Sequence, residues 1–493
     1  MVNKSLFKPR YPYFFAFALI LLVELFSFTA YFLPSIQPFL LAASFVAVFL
    51  ISIFSLENGL LIAITELVIG SKGHLFSYDI FGFPVSLRLV IWAALMTASL
   101  VFVIRKGFRN SWKIYGQPFR YWRYLLIFVL FIVIAIIQGL ARNFDFTTVL
   151  SDANAWLFLS LIIPILIVYG SGDKAKLTRL QSIFFLALGW LCFKTLILLY
   201  IFSHNLNIMP DVYLWVRRSG IGEVTAMGGG WQRVFIQSQI YAPIAYFLLL
   251  WPAIKSEKLN WRHRLALGTA LSVLLAVIII SMSRSFWLAF GASGALMAVF
   301  SWRSAWRRYA RALAYVAASA LGAALIIFIA VKFPFPNPNA GLSADALAER
   351  LNLAGDEAAL ASRWSQLPNL WTEIKEAPLL GQGFGATVSY FSQDPRVLAN
   401  NPDGWYTTYA FEWAYLDTWL KLGLIGLLSY LLLLIIVLAG LLRRKEDDKD
   451  ISLALGGGLL FLMIVNIFTP YLNHPLGLGY LLFCSCYLSK KLL

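Results

Sequence analysis

The stretch AVIIISMSRSFWLAFGASGALM, residues 276–297, sets two apolar runs on either side of one charge, Arg284, with only Ser281, Met282, Ser283 and Ser285 around it. An arginine near the centre of a bilayer costs about 2.5–3.5 kcal/mol on insertion scales. Arg284 therefore belongs in a turn at a membrane surface or against a polar cavity. The rest of the chain narrows the choice.

The 493 residues are 60% hydrophobic and only 13% charged, and the mean hydropathy is +0.75. A soluble domain carries about twice that charged fraction. Apolar runs of about 17–24 residues, each long enough to cross a bilayer core as a helix, recur from end to end. Backbone hydrogen bonding in lipid then forces helices. The chain reads as an all-α polytopic membrane protein with about fourteen transmembrane helices. The expected spans are 12–33, 36–55, 57–70, 86–104, 124–140, 151–169, 180–203, 234–254, 265–281, 285–301, 312–331, 413–442, 452–470 and 473–489. The first apolar run, Tyr11 to Leu33, is too long for a signal-peptide core and reads as a retained helix. Cys192, Cys484 and Cys486 all lie in apolar segments and suggest neither a disulfide nor a metal site.

Charge sets the orientation. With Lys4, Lys8 and Arg10 inside, the connections carrying Arg105 to Arg123, Lys174 to Arg179, Lys255 to Arg264, Arg303 to Arg311 and Arg443 to Lys449 also fall inside, as do Lys490 and Lys491. This is the positive-inside rule, and it puts both termini in the cytoplasm. The net charge of +16 is thus a topology signal and not a nucleic-acid patch. The chain divides into residues 1–331 (eleven spans), a large extracytoplasmic loop at 332–411, and residues 412–493 (three spans). Ser343 and Asp356 are placed to cap helices in that loop. Trp364, Leu367, Trp371 and Ile374 recur at helical spacing as an apolar face, and Pro368 is expected to kink or split the helix.

On the outer side arginine is scarce, and what there is sits beside membrane spans. Arg284 falls in the turn between the ninth and tenth spans, Arg233 at the start of the eighth, Arg363 in the large loop, and Arg217 and Arg218 in the shorter loop. Guanidinium binds phosphate bidentately and stays charged, so a cluster here suits a membrane-embedded pyrophosphate. Each also has a bland role: a snorkelling helix end, a loop cap, a solvated helix residue or a headgroup contact. Arg217 and Gly228 are separated by ten residues in the shorter loop. Glu24, Glu66 and Lys194 lie within spans, where structural pairing and function are equally open. No Asp-x-Asp pair occurs on the outer side, so no metal is indicated for the pyrophosphate, and no cofactor is expected.

Several stretches then resemble a known family. SMSRSFWLAF is similar to the Ser-Arg segment of the O-antigen ligase and Wzy-type O-antigen polymerase superfamily. Residues 362–385, SRWSQLPNLWTEIKEAPLLGQGFG, resemble its large outer loop, and YLDTWLKLGLIGLLSYL (415–431) its following helix. QRVFIQSQIYAPIAYFLLL (232–250) resembles its arginine-led span. The match covers roughly residues 233–442 in the expected order. It implies a GT-C-like helical bundle in a bacterial inner membrane. Its activity would be transfer of a glycan from undecaprenyl pyrophosphate to an acceptor sugar hydroxyl, on a repeat unit (polymerase) or on another glycan or lipid-linked glycan (ligase), with the active site extracytoplasmic.

The resemblance gives Arg284, Arg233 and Arg363 the pyrophosphate, with Arg217 and Arg218 as further candidates. Family ligases carry a His-Asn pair eleven residues before the first glycine of Gly-Leu-Ile-Gly. Counting back from Gly423 reaches Glu412, followed by Trp413. A carboxylate at an apolar boundary can still accept the acceptor's proton if burial raises its pKa, so Glu412 becomes the candidate base; its bland role is a helix-start carboxylate. Trp364, Trp371, His204 and His474 are weaker candidates for glycan contact. Two rivals stand: a transporter or lipid-linked oligosaccharide flippase, for which no convincing internal repeat is seen, and a structural membrane subunit.

Overall fold

The computed structural model describes residues 11–106, 122–227, 230–255, 260–300, 306–336, 358–392, 395–444 and 449–489. The capping residues Ser343 and Asp356, and Gly228, lie outside them. The helices are α1 (Tyr11–Phe32), α2 (Gln37–Phe54), α3 (Leu56–Ile69), α4 (Leu87–Lys106), α5 (Trp122–Ala141), α6 (Phe146–Ala153), α7 (Ile162–Tyr169), α8 (Lys174–Ser203), α9 (Met209–Arg218) and α10 (Tyr241–Lys255). They continue with α11 (Trp261–Ile280), α12 (Arg284–Phe300), α13 (Trp306–Lys332), α14 (Ala358–Glu376), α15 (Pro395–Leu398), α16 (Ala414–Leu442), α17 (Lys449–Val465) and α18 (Pro475–Ser489). Three short hairpins complete the fold: β1 (Ser77–Ile80) with β2 (Phe83–Ser86), β3 (Glu223–Ala226) with β4 (Gln232–Phe235), and β5 (Val388–Phe391) with β6 (Trp405–Thr408).

Every expected span has a helical counterpart. Among the described residues nine helical stretches are long and apolar enough to cross a membrane by length and composition. The third, eighth, tenth, thirteenth and fourteenth spans are shorter helices of 14, 15, 17, 17 and 15 residues. The eighth span departs most from expectation. It does not start as a helix at 234: β4 and a 3₁₀ turn (Gln237–Ile240) precede α10. The cause is polar. Gln239 accepts from the Ile236 amide at 3.0 Å and donates to Thr195 Oγ1 at 3.1 Å, and Ser71 Oγ accepts from the Gln237 amide. Irregular backbone at this depth is tolerated because protein, not lipid, surrounds it.

The charges inside spans are paired. Lys194 Nζ lies 2.5 Å from Glu24 Oε1, which also accepts from Trp190, and Arg88 Nε lies 2.8 Å from Glu66 Oε2. A third group joins Lys421 to Asp152 and Asp417, each at 2.5 Å.

One end of the bundle carries the three hairpins, the α11–α12 turn and the segment from α13 to α16; it is called the loop face below. The opposite end carries ion pairs between Arg179 and Glu57 and between Lys255 and Asp450. At the loop face α16 is broken at Gly423, whose φ of 72° and ψ of 175° leave the helix. The segment after α14 fills the break. Gln382 and Gly383 amides donate to Leu420 and Lys421 carbonyls at 2.7 and 3.0 Å, and Leu424 and Ile425 amides donate to Pro378 and Leu379 carbonyls at 2.9 and 3.3 Å. Four backbone groups at the break thus have partners in the docked segment. Phe384 donates to Ala135 of α5, and the Gly385 amide to Asp152.

The described part of the loop segment is partly helical. It adds the β5–β6 hairpin to α14, and α14 runs through Pro368 without a break. Its buried face is Leu370 and Ile374, packed with Ala386, Val388, Phe411 and Leu420, while Trp364 and Trp371 are exposed at 57% and 43%. Those tryptophans flank the core instead: Trp364 lies against Trp413, and Trp371 is edge-on to Trp419.

Candidate functional site

Arg284 opens α12 at the loop face, in a turn that follows Met282 in a left-handed conformation (φ 49°). The turn is tightly held. Ser281 caps the end of α11, the Ser283 amide reaches the Ser281 hydroxyl, Ser283 and Ser285 hydroxyls lie 3.1 Å apart, and Trp287 donates to the Ile278 carbonyl. Arg284 therefore sits in a turn, not at mid-depth in a helix. It also lies where the amides of a helix start attract negative charge.

Arg233 comes to the same place from β4. Its Nε donates to the Ser281 carbonyl at 3.0 Å, and its guanidinium covers the Phe235 ring and lies 3.9 Å from Glu223. Two of the three leading arginines therefore share one turn. Tyr471, from the connection between α17 and α18, joins them. It is 3% exposed, its ring meets Phe286 at 5.6 Å, and its hydroxyl lies in the fields of Arg233 and Glu223. That hydroxyl is buried with no hydrogen-bond partner among the described residues, as is Nδ1 of His474 three residues on. The orphaned Tyr471 hydroxyl thus lies beside Arg233, and an unpaired buried polar atom next to a cation has the character of a ligand group.

Arg363 approaches from the other side. It forms an ion pair with Glu412, and its carbonyl accepts from Trp413 Nε1 at 3.0 Å. The Arg363 and Glu412 side chains are 41% and 49% exposed. This corrects one expectation: Glu412 is half-exposed and not desolvated at an apolar boundary. Its partner is a guanidinium, which orients the carboxylate. The 466–474 connection links this pair to the arginine turn. Phe468 touches Trp413, Tyr471 touches Phe286, and Asn473 donates to the Ala414 carbonyl and Thr418 hydroxyl of α16.

The remaining candidates are placed differently. Arg217 and Arg218 end α9 and are exposed, Arg217 over Tyr213. His204 is 3% exposed, with its two ring nitrogens each 2.9 Å from a carbonyl, of Tyr200 and Phe333. It ties the end of α8 to the start of the loop segment.

The sequence reading overlooked a second set of cations. Arg88, Lys72 and His74 face His474. Arg88 Nη2 also donates to the Ser71 carbonyl, and Ser71 receives the Gln237 amide two residues beyond β4. This places a basic floor next to the Arg233 strand. Burial, with Arg88 and Lys72 assisting, lowers His74 to about 4. The signal that could have found the set is Arg88 itself, a second charge just inside a span with Glu66 as an obvious counter-ion. The buried Lys421–Asp417 pair, at i and i+4 on one span, was equally available.

Such an array can hold a doubly charged phosphate group at the rim of the bundle, between a helix start, guanidinium groups and neutral hydroxyl and imidazole donors. Comparison with known proteins gives one family. Residues 269–431 match the family model described as O-antigen ligase. That segment runs from α11 through the arginine turn, α14, Glu412 and the Gly423 break. No curated protein matches the chain.

Proposed function

From the premise that residues 269–431 carry the O-antigen ligase pattern and support membership of the O-antigen ligase/polymerase superfamily, we propose a membrane glycosyltransferase. It moves a glycan from undecaprenyl pyrophosphate to an acceptor sugar hydroxyl at the loop face, which is the extracytoplasmic side of a bacterial inner membrane. The observation that carries this reading is the Arg233–Ser281 hydrogen bond, which ties Arg233 to the turn from which Arg284 opens α12, near the Tyr471 hydroxyl, which has no hydrogen-bond partner among the described residues.

The donor pyrophosphate sits against Arg284 and Arg233. Glu412, oriented by Arg363, takes the proton of the acceptor hydroxyl. The acceptor oxygen attacks the anomeric carbon as the bond from that carbon to the pyrophosphate oxygen breaks. The bonding electrons leave with undecaprenyl pyrophosphate, whose growing charge the arginines stabilise without a metal. A single displacement of this kind inverts the anomeric centre. The exposed Trp364 and Trp371 offer apolar faces on which sugar rings can stack. The test is purified protein with a carrier-linked oligosaccharide, read by product length on a gel. A ladder supports a polymerase and a single added unit a ligase; unchanged donor with every acceptor offered refutes the reading.

A further inference from the structure

A small polar recess opens at the loop face, between the ends of α1 and α9, the start of α2 and the segment leading into β1. Its volume is about 240 Å³, the bulk of roughly eight water molecules at about 30 Å³ each, which is the scale of one sugar ring. Its walls are pinned by their own hydrogen bonds. Ser27 donates to the Leu75 carbonyl and accepts from Trp215 Nε1. Gln37 donates to the Ala30 carbonyl at 3.0 Å and accepts from the Ser77 amide at 3.2 Å. The Ser219 hydroxyl donates to the Trp215 carbonyl. A recess held in shape this way costs little to order when a ligand enters.

Four further polar groups line the recess and form no hydrogen bond or ion pair among the described residues: the Arg218 guanidinium, the His74 ring, and the hydroxyls of Tyr31 and Ser77. The surroundings are positive. Lys72 lies against Gly220, two residues past Arg218, where an added Cβ would meet its Cδ at 3.6 Å. Burial, with Arg88 and Lys72, keeps His74 neutral above about pH 4, so its ring offers a hydrogen bond without adding charge. One open guanidinium beside neutral donors suits a single negative charge, and its fork matches a carboxylate. The recess also adjoins the Arg233 strand. The Gly222 amide turns back to the Val216 carbonyl at 3.1 Å, and Glu223 lies 3.9 Å from Arg233. From Arg218 to Glu223 the backbone spans at most roughly 18 Å, within the reach of a short oligosaccharide.

An occupant matching all of this is one ring in size, rich in hydroxyls and singly anionic. We propose that the recess is a glycan subsite for a carboxylated sugar of the donor, such as a uronic acid, with its carboxylate on Arg218 and His74 and its hydroxyls on Tyr31 and Ser77. This rests on the glycosyltransferase reading and adds the chemical class of one sugar that the enzyme selects. The Tyr31 ring and Pro34 supply an apolar wall for the face of the pyranose. Selection is by charge: a neutral hexose leaves Arg218 without its counter-ion, and a dianionic phosphate finds only one cation within the recess.

The test is a binding measurement that needs no transfer reaction. Saturation-transfer NMR on the purified full-length protein in detergent compares methyl glucuronide with methyl glucoside, which differs only in carrying CH2OH for the carboxylate. The glucuronide should bind at least fivefold more tightly. Arg218→Gln should remove that difference by weakening the glucuronide at least fivefold while leaving the glucoside within twofold, and Arg218→Lys should restore part of it. Ser219→Trp, which fills the recess from a second position, should weaken both sugars, and Arg179→Gln at the opposite face should change neither. Equal binding of the two sugars, or native glucuronide affinity in Arg218→Gln, overturns the acidic-sugar subsite even where glycan transfer is observed. Displacement of the glucuronide by glucose 1-phosphate or by phosphatidylglycerol as readily as by glucuronic acid also overturns it, in favour of a phosphate or headgroup site. Absence of transfer from every donor refutes the enzymatic reading, while the two sugars still report on the recess.

Discussion

Gly423→Ala tests how the loop face is built. At φ 72° and ψ 175° Gly423 occupies a region essentially reserved for glycine, and a Cβ there would come 2.2 Å from the Leu379 carbonyl oxygen. Forcing that conformation costs about 1–3 kcal/mol. Relief requires the 378–381 segment to withdraw, which forfeits the Leu424 and Ile425 bonds to Pro378 and Leu379 at about 0.5–1.5 kcal/mol each. The sum is roughly 2–6 kcal/mol, concentrated on one segment. At 1.36 kcal/mol per decade, even about 3 kcal/mol is a rise of roughly a hundredfold in local opening. Hydrogen exchange reads it directly: amides of Gln382, Gly383 and Phe384 should lose protection by that factor while α10 and α17 keep theirs. The control is Gly189→Ala, where an added Cβ meets nothing within 4 Å. Protection of residues 382–384 equal to that of the native protein would refute the claim that the break in α16 docks the loop.

Three further outcomes are expected. Lys421→Met leaves the Asp152 and Asp417 carboxylates buried without their cation and should cost about 3–5 kcal/mol, read as a fall in the thermal midpoint of detergent-purified protein; neutralising both aspartates as well should recover most of it, and an unshifted midpoint contradicts the role given to the triad. His74 takes up its proton near 6.5 when unfolded but only near about 4 when folded, so the unfolded state binds more protons between those values; its contribution to stability is intact above about pH 6.5 and is lost as pH falls through that window, and His74→Gln should flatten the loss, while identical pH slopes refute it. Glu412→Ala should abolish glycan transfer with the protein folded, whereas activity equal to the native enzyme removes Glu412 from the mechanism.

Hydrophobic runs and basic connections made the span order legible because lipid imposes helices and insertion reads Lys and Arg. What escaped is what lies between helices. The polar start of the eighth span was hidden because Gln237 and Gln239 find partners just beyond α3 and on α8 that no local pattern announces. The break at Gly423 is invisible in the sequence: the glycine-containing stretches 381–385 and 423–426 lie far apart in the chain, and their pairing is a long-range fact. Of the site, Arg233 and Arg284 could be nominated from their positions beside spans, and the structure joins them through Ser281. Tyr471 could not be ranked among the many tyrosines, since its distinction is an orphaned hydroxyl beside a cation. The apolar stripe of α14 keeps Ile374 in the core, but Leu370, not the two tryptophans, fills the remaining space against Phe411.

The central claim is that guanidinium groups at the α11–α12 turn hold a diphosphate. Its most direct measurement is the affinity of purified protein for glycan-free polyprenyl diphosphate, in the native chain and in Arg284→Ala and Arg233→Ala, with Arg179→Ala at the opposite face as control. A charge-assisted contact contributes about 1.5–3 kcal/mol, so each of the first two variants should bind roughly ten- to a hundredfold more weakly and the control unchanged. Native affinity in both Arg284→Ala and Arg233→Ala would contradict the account.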